Sequence, residues 1–299
     1  AVCCLSSVNL ENFDEWQDDE FFIPDLIRFL DNVITYFIEK APDALSRAKF
    51  SAERERSIGL GAMGFHAYLQ KRNIPFESMF AQSTNYTMFR HIKEQAQFET
   101  EELAKERGSC PDDKNNQVRN AHLLAVAPNA SSSIICGNTS PSIEPYRANA
   151  FTQKTKTGSS LLKNKYLEQL LNKKDRNTPD IWKSIITNHG SVQHLEFLNE
   201  HEKSIFATAV EIDQRWVVNL AAERQEFICQ SQSCNVFFPA DVSKQELHNV
   251  HMMAWKKGMK TLYYLRSEAI KRADTVSDKK LREYIFDYSD EEGCLACEG

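Results

Sequence analysis

Apolar residues recur at helical spacing from 24 to 40, where Leu26, Phe29, Leu30, Val33, Ile34 and Phe37 would share one side of a helix. Pro24 stands near the start of that run and Pro42 just past its end, both places where proline marks a helix boundary. A second amphipathic stretch covers 89–107, with Phe89, Ile92, Ala96 and Leu103 on one face, Glu and Lys on the other, and Gly108 and Pro111 to stop it. A third covers 214–229, with Trp216, Val217, Leu220, Ala221 and Phe227 turned inward. Short apolar runs at 2–8, 123–127, 233–238 and 259–265 read as buried strands. Short buried strands separated by long helical stretches predict an α/β architecture with parallel strands. Residues 288–299 are acidic and aperiodic and read as a flexible tail, leaving 1–287 as the folded part. The chain opens on Ala1 inside a strand-like run, which reads as a fragment or one half of a split protein.

Composition narrows the chemistry. The 299 residues can bury a substantial core, and 41% hydrophobic with 26% charged residues fits a soluble globular protein. A net charge of −6 disfavours nonspecific binding of DNA or RNA. No apolar run reaches the roughly 20 residues that cross a bilayer, and no basic-then-apolar leader opens the chain. A cytoplasmic protein is the default expectation. There the eight cysteines are thiols, serving as buried packers, metal ligands or redox groups.

Gly59-Leu60-Gly61-Ala62-Met63-Gly64 fits the dinucleotide fingerprint by letter, but that motif must follow a strand. The preceding residues 52–57 are charged and helix-like, so close backbone packing of a glycine-rich turn is the better reading. Cys294-Leu295-Ala296-Cys297 could be a redox shuttle on a mobile tail, half a zinc site, or without a role. Pro128-Asn129-Ala130-Ser131-Ser132-Ser133, after a strand, offers hydroxyls and free N–H groups to an anion, although from these letters alone an ordinary N-cap is the favoured reading. Tyr263 and Tyr264 are adjacent on an expected strand, where side chains alternate, so a stacked pair would require a local backbone departure and ordinary strand packing is the better reading from spacing alone. His248 and His251, three apart on a helical stretch, could share a metal, but no carboxylate at matching spacing completes a site, and Cys110, Cys136, Cys229 and Cys234 read as small buried hydrophobes.

The order of these motifs resembles the ribonucleotide reductase large subunit family, class I. Residues 1–10 resemble its strand bearing a reducing cysteine. Residues 59–69 are similar to its glycine-rich segment, and 128–133 with Ser142-Ile143-Glu144-Pro145 to its substrate-phosphate loop. Lys260-Thr261-Leu262-Tyr263-Tyr264 is similar to its tyrosine pair, and the CxxC tail completes the order. The resemblance implies the second half of a ten-stranded α/β barrel with a flexible C-terminal tail. It implies that Cys3 is one of two reducing thiols, that Cys294 and Cys297 re-reduce that pair, and that thioredoxin or glutaredoxin regenerates them. It further implies that Pro128, Asn129, Ala130, Ser131 and Ser132 bind the substrate diphosphate and that Tyr263 and Tyr264 relay a radical. No cofactor is expected in this chain, since the metal-based radical would sit in a small partner subunit. The N-terminal portion of the large subunit would be a further partner. The alternative is a non-catalytic remnant that binds the small subunit or thioredoxin.

Overall fold

The computed structural model describes residues 2–155 and 158–267, with the side chains of 152–160 left aside. Its strands are β1 (Leu5–Asn9), β2 (Gly59–Met63), β3 (Ala150–Thr155), β4 (Gly158–Lys163), β5 (Val236–Phe238) and β6 (Leu265–Ser267). Its helices are α1 (Phe13–Trp16), α2 (Phe22–Lys40), α3 (Ser46–Glu55), α4 (Phe65–Lys71), α5 (Met79–Arg107), α6 (Ala130–Ile135), α7 (Lys165–Lys173), α8 (Pro179–Thr187), α9 (Glu200–Ile205), α10 (Gln214–Arg224) and α11 (Lys244–Lys256).

The expected parallel arrangement is present. β1 and β2 pair in parallel from Leu5↔Gly59 to Asn9↔Met63. Segment 123–127 lies along β2, with the Leu60 N–H on Leu123 O at 2.8 Å and the Ala125 N–H on Leu60 O at 3.2 Å. Segment 231–233 follows, joined by the Val126 N–H to Ser231 O at 3.1 Å and the Ser233 N–H to Val126 O at 2.9 Å. That segment runs on into β5, which pairs in parallel with β6. Five parallel segments thus lie side by side in chain order, and the helices cover them. The main core joins sheet residues such as Val8, Leu60, Leu124 and Val236 to Ile27, Leu30, Phe89, Leu103 and Leu220 of the helices.

The glycine-rich run is β2 itself, buried throughout. A Cβ on Gly61 would meet Ala125 O at 2.4 Å, so glycine here lets neighbouring backbones approach. The close packing expected there holds, but the run is a strand of the parallel sheet rather than the expected turn. Helix α5 starts ten residues earlier than the apolar face suggested: Ser78 caps it by accepting the Ala81 N–H at 3.1 Å. Helix α10 ends earlier than expected, because the Gln225 side chain donates to Ile228 O and Gln230 O and turns the chain into extended structure.

Hydrophobic spacing did not announce the unit at 150–206. The antiparallel β3–β4 pair and helices α7 to α9 enclose a second core of Leu167, Leu171, Trp182, Ile185, Leu195 and Ile205. No helix among the described residues is long and apolar enough to cross a membrane.

Candidate active site

Loop 128–133 leaves segment 123–127 and turns at once into α6. Asn129 makes the turn at φ +55°, in the left-handed region that Asn tolerates better than most residues. Its side chain is committed to the sheet, where Nδ2 donates to Ser7 Oγ at 3.0 Å, Ala127 O at 3.2 Å and Ala62 O at 3.3 Å. Helix α6 therefore has no side-chain cap, and the N–H groups of its first turn lack an intrahelical acceptor.

Pro128, Ala130, Ser131 and Ser133 form one wall of a cavity of about 210 Å³. Asn129 and Ser132 do not line it, although the sequence placed them with the others. Asn129 is turned onto β1 and β2. A helix rotates by about 100° per residue, which puts Ser132 on the side of α6 opposite the cavity.

Tyr263 and Tyr264 stand on the facing wall with Glu144, Arg147, Asn235 and Arg266. The Tyr263 hydroxyl donates to that of Tyr264 at 3.2 Å, and the ring centres lie 4.0 Å apart, tilted by 46°. The Arg266 guanidinium lies 4.9 Å from the Tyr264 ring centre, and that of Arg147 lies 5.3 Å from the ring centre of Phe237. Glu144 is buried, and its carboxylate accepts the Asn235 N–H at 3.3 Å. Burial raises its pKa, an effect that the charges of Arg147 and Arg266 and hydrogen bonds from Asn235 oppose without cancelling.

The tyrosines face one way because the ladder is irregular beside them. In a regular parallel pair, the residue opposite Asn235 would both donate to Cys234 O and accept from the Val236 N–H. Here the first bond comes from Tyr263 at 2.9 Å and the second goes to Tyr264 at 3.0 Å. Two residues occupy the place of one, which is a β-bulge. This is the backbone departure that adjacent stacked tyrosines require.

The structure does not bring Cys3 to the cavity. That residue is exposed ahead of β1 and is not part of the cavity wall, whereas its neighbour Cys4 is buried. Cys294 and Cys297 lie outside the described residues, as does the expected tail 288–299. Cys110 and Cys234 are buried as expected, but Cys136 is exposed at the end of α6 and Cys229 only half-buried. The Cys229 sulfur is occupied as an acceptor for the Leu123 and Leu124 N–H groups, at 3.2 and 3.3 Å. Sequence reading gave no role to Glu144, Arg147, Asn235 or Arg266. Of these only Glu144 stood inside a recognised motif; the others carry no local signal.

Comparison with known proteins places these features in a family. The pattern described as "Ribonucleotide reductase, barrel domain" matches residues 1–118 and 112–265. The ribonucleoside-diphosphate reductase large subunit of Invertebrate iridescent virus 6 is 50% identical over 285 residues, covering 94% of this chain and 30% of that protein. The large subunit of Invertebrate iridescent virus 3 is 45% identical, covering 100% of this chain and 48% of that protein. The chain is also similar to the solved Actinobacillus ureae class Id ribonucleotide reductase alpha subunit, with TM-score 0.84 and 41% identity, covering 90% of this chain and 50% of that one. It spans about half or less of the length of these relatives.

Proposed function

The chain belongs to the ribonucleotide reductase barrel-domain family, and on that premise we propose that it forms the phosphate-binding and radical-relay part of a ribonucleoside-diphosphate reductase large subunit. The observation that carries this reading is the shared cavity, with the serine loop on one wall and the tyrosine pair on the other.

The substrate in this reading is a ribonucleoside diphosphate. Its phosphates meet the first-turn N–H groups of α6 and the hydroxyls of Ser131 and Ser133, beside Pro128 and Ala130. Arg147 and Arg266 add positive charge to the same space. The tyrosines pass one hydrogen atom at a time. A phenoxyl radical on one takes an electron and a proton from the other's O–H, so the first phenol is restored and the radical moves on. The hydrogen bond at 3.2 Å is the proton's path.

The oxidant that starts the relay belongs to a metal-containing small subunit, and the N-terminal portion of the large subunit supplies the remaining active-site groups. Replacing the ribose 2′-hydroxyl by hydrogen consumes two electrons, which a dithiol provides as it becomes a disulfide. The resemblance assigns one of those thiols to Cys3 and the relay to thioredoxin or glutaredoxin to Cys294 and Cys297. The position of Cys3, away from the cavity walls, lends its role no support, so the proposal rests on the loop and the tyrosines. The setting is the cytoplasm.

The test uses the assembled reductase, with small subunit and the rest of the large subunit. Tyr263→Phe keeps the ring and removes the transferable hydrogen. Diphosphate reduction should fall to background while nucleotide affinity stays within about twofold, the signature of a group used only in the chemical step. Undiminished turnover in this variant would overturn the proposal.

A further inference from the structure

On a regular strand, side chains 263 and 264 would point to opposite faces, one into the cavity and one behind the sheet. Both tyrosines line the cavity instead, with their rings in contact. The bulge achieves this, but it takes the Tyr264 N–H away from the carbonyl that would have accepted it. Asn235 Oδ1 accepts that N–H at 2.9 Å. Asn235 is itself only 4% exposed, and its own N–H is held by Glu144 Oε1 at 3.3 Å. The side chain opposite the bulge thus stands in for the missing backbone acceptor.

We infer that Asn235, seated by Glu144, is a positioning residue that holds the bulge and so keeps both tyrosine rings on the cavity side. This deepens the radical-relay reading and rests on it. Asn235 touches no reacting atom; it acts through the geometry of the pair. Hydrogen transfer falls steeply with donor–acceptor distance, so a ring turned away breaks the relay while the serine loop and the first turn of α6 keep their places.

Three variants of the assembled reductase test this, each measured for kcat, KM and melting temperature. Asn235→Ala removes the acceptor. Asn235→Gln keeps the amide but carries its oxygen one methylene too far. Asn235→Asp keeps an acceptor oxygen in place. The expected order of kcat is wild type, then Asn235→Asp, then Asn235→Ala and Asn235→Gln together, the last two down by about 100-fold, as misplacement by an ångström can cost. The diphosphate KM should stay within about threefold in all of them.

A residue that merely packs would give the reverse order, because Asn235→Asp buries a second carboxyl against Glu144 and would be the worst variant. That order, or wild-type kcat in Asn235→Ala, overturns the inference. If Asn235→Ala fails to assemble, the comparison of Asn235→Gln with Asn235→Asp carries the test. Tyr263→Phe, assayed in parallel, separates the two ideas. If it is inactive while Asn235→Ala turns over normally, the positioning role alone fails; if it turns over normally, the relay itself fails.

Discussion

Ser131 and Asn129 are two residues apart in one loop, yet they do opposite jobs. Asn129 is buried and gives its amide to Ser7, Ala62 and Ala127, whereas Ser131 is exposed on the cavity wall. Ser131→Ala should therefore raise the diphosphate KM by roughly five- to tenfold, the effect of one hydrogen bond worth about 1 kcal/mol, with melting temperature unchanged. Steady-state kinetics and a thermal scan check both halves of that expectation. The distinction was not legible in the sequence, because hydroxyl and amide letters in a loop say nothing of which way each turns. For the tyrosine pair, strand alternation said that stacked rings would need a backbone departure, but spacing alone favoured ordinary core packing at 263–264. What it could not show was the remedy, because Asn235 lies 29 positions away along the chain from Tyr264.

Among the helices, Asp31 of α2 ties distant parts of the chain together. It is fully buried, and its carboxylate accepts from Arg56 at 2.7 Å, Arg107 at 3.1 Å and Asn120 at 3.1 Å, with Arg119 at 3.4 Å. Burial opposes its ionisation, but Arg56, Arg119 and Asn120 overcome this and hold its pKa below the usual carboxylate range. Asp31→Asn would leave the buried guanidinium of Arg56 and its neighbours uncompensated. A loss of about 3–5 kcal/mol in denaturant unfolding is expected. Helix α2 itself was plain in the sequence from its apolar spacing over 24–40, but its buried stripe runs through Ile23, Ile27, Leu30, Asp31 and Ile34 and leaves Phe29 and Val33 of the expected face exposed. Its buried aspartate was not plain, because periodicity treats a charge inside the apolar stripe as noise. The first ten residues of α5 were hidden for a related reason: their polar stretch contains Asn85, which is buried against Leu220 O and Arg224.

At the scale of the molecule, His66 joins the sheet side to the 150–206 unit. Its Nδ1 accepts the Tyr146 N–H at 2.9 Å, next to Gln70, which donates to Ile205 O at 3.1 Å. Burial lowers its pKa from 6.5 to about 3. A depressed folded-state pKa contributes stability that is fully present above 6.5 and is lost as pH falls towards 3. Unfolding free energy should therefore drop by about 1.4 kcal/mol per pH unit across that window through this group alone. His66→Gln, measured by chemical denaturation at several pH values, should flatten that slope. The parallel sheet was legible in part from short apolar runs between helices, although β2 was not among them, while the 150–206 unit was not, because its strands, Ala150–Thr155 and Gly158–Lys163, are rich in polar residues.

The order of the sheet has a practical corollary. No strand is threaded between two that precede it in the chain, so every connection divides the sheet into two contiguous blocks that meet along one seam. A break in the exposed turn at 111–117 would leave β1 and β2 in one piece and the other three parallel segments in the second, joined in the sheet by backbone bonds from Ile58 and Leu60 to residues 122–125 and, outside it, by contacts such as those of Asn85 with Leu220 and Arg224 and of Asp31 with Arg119 and Asn120. Modularity of this kind makes the barrel half a candidate for reassembly from separately made pieces, with the strand seam and the helix contacts beside it as the surfaces that must find their match.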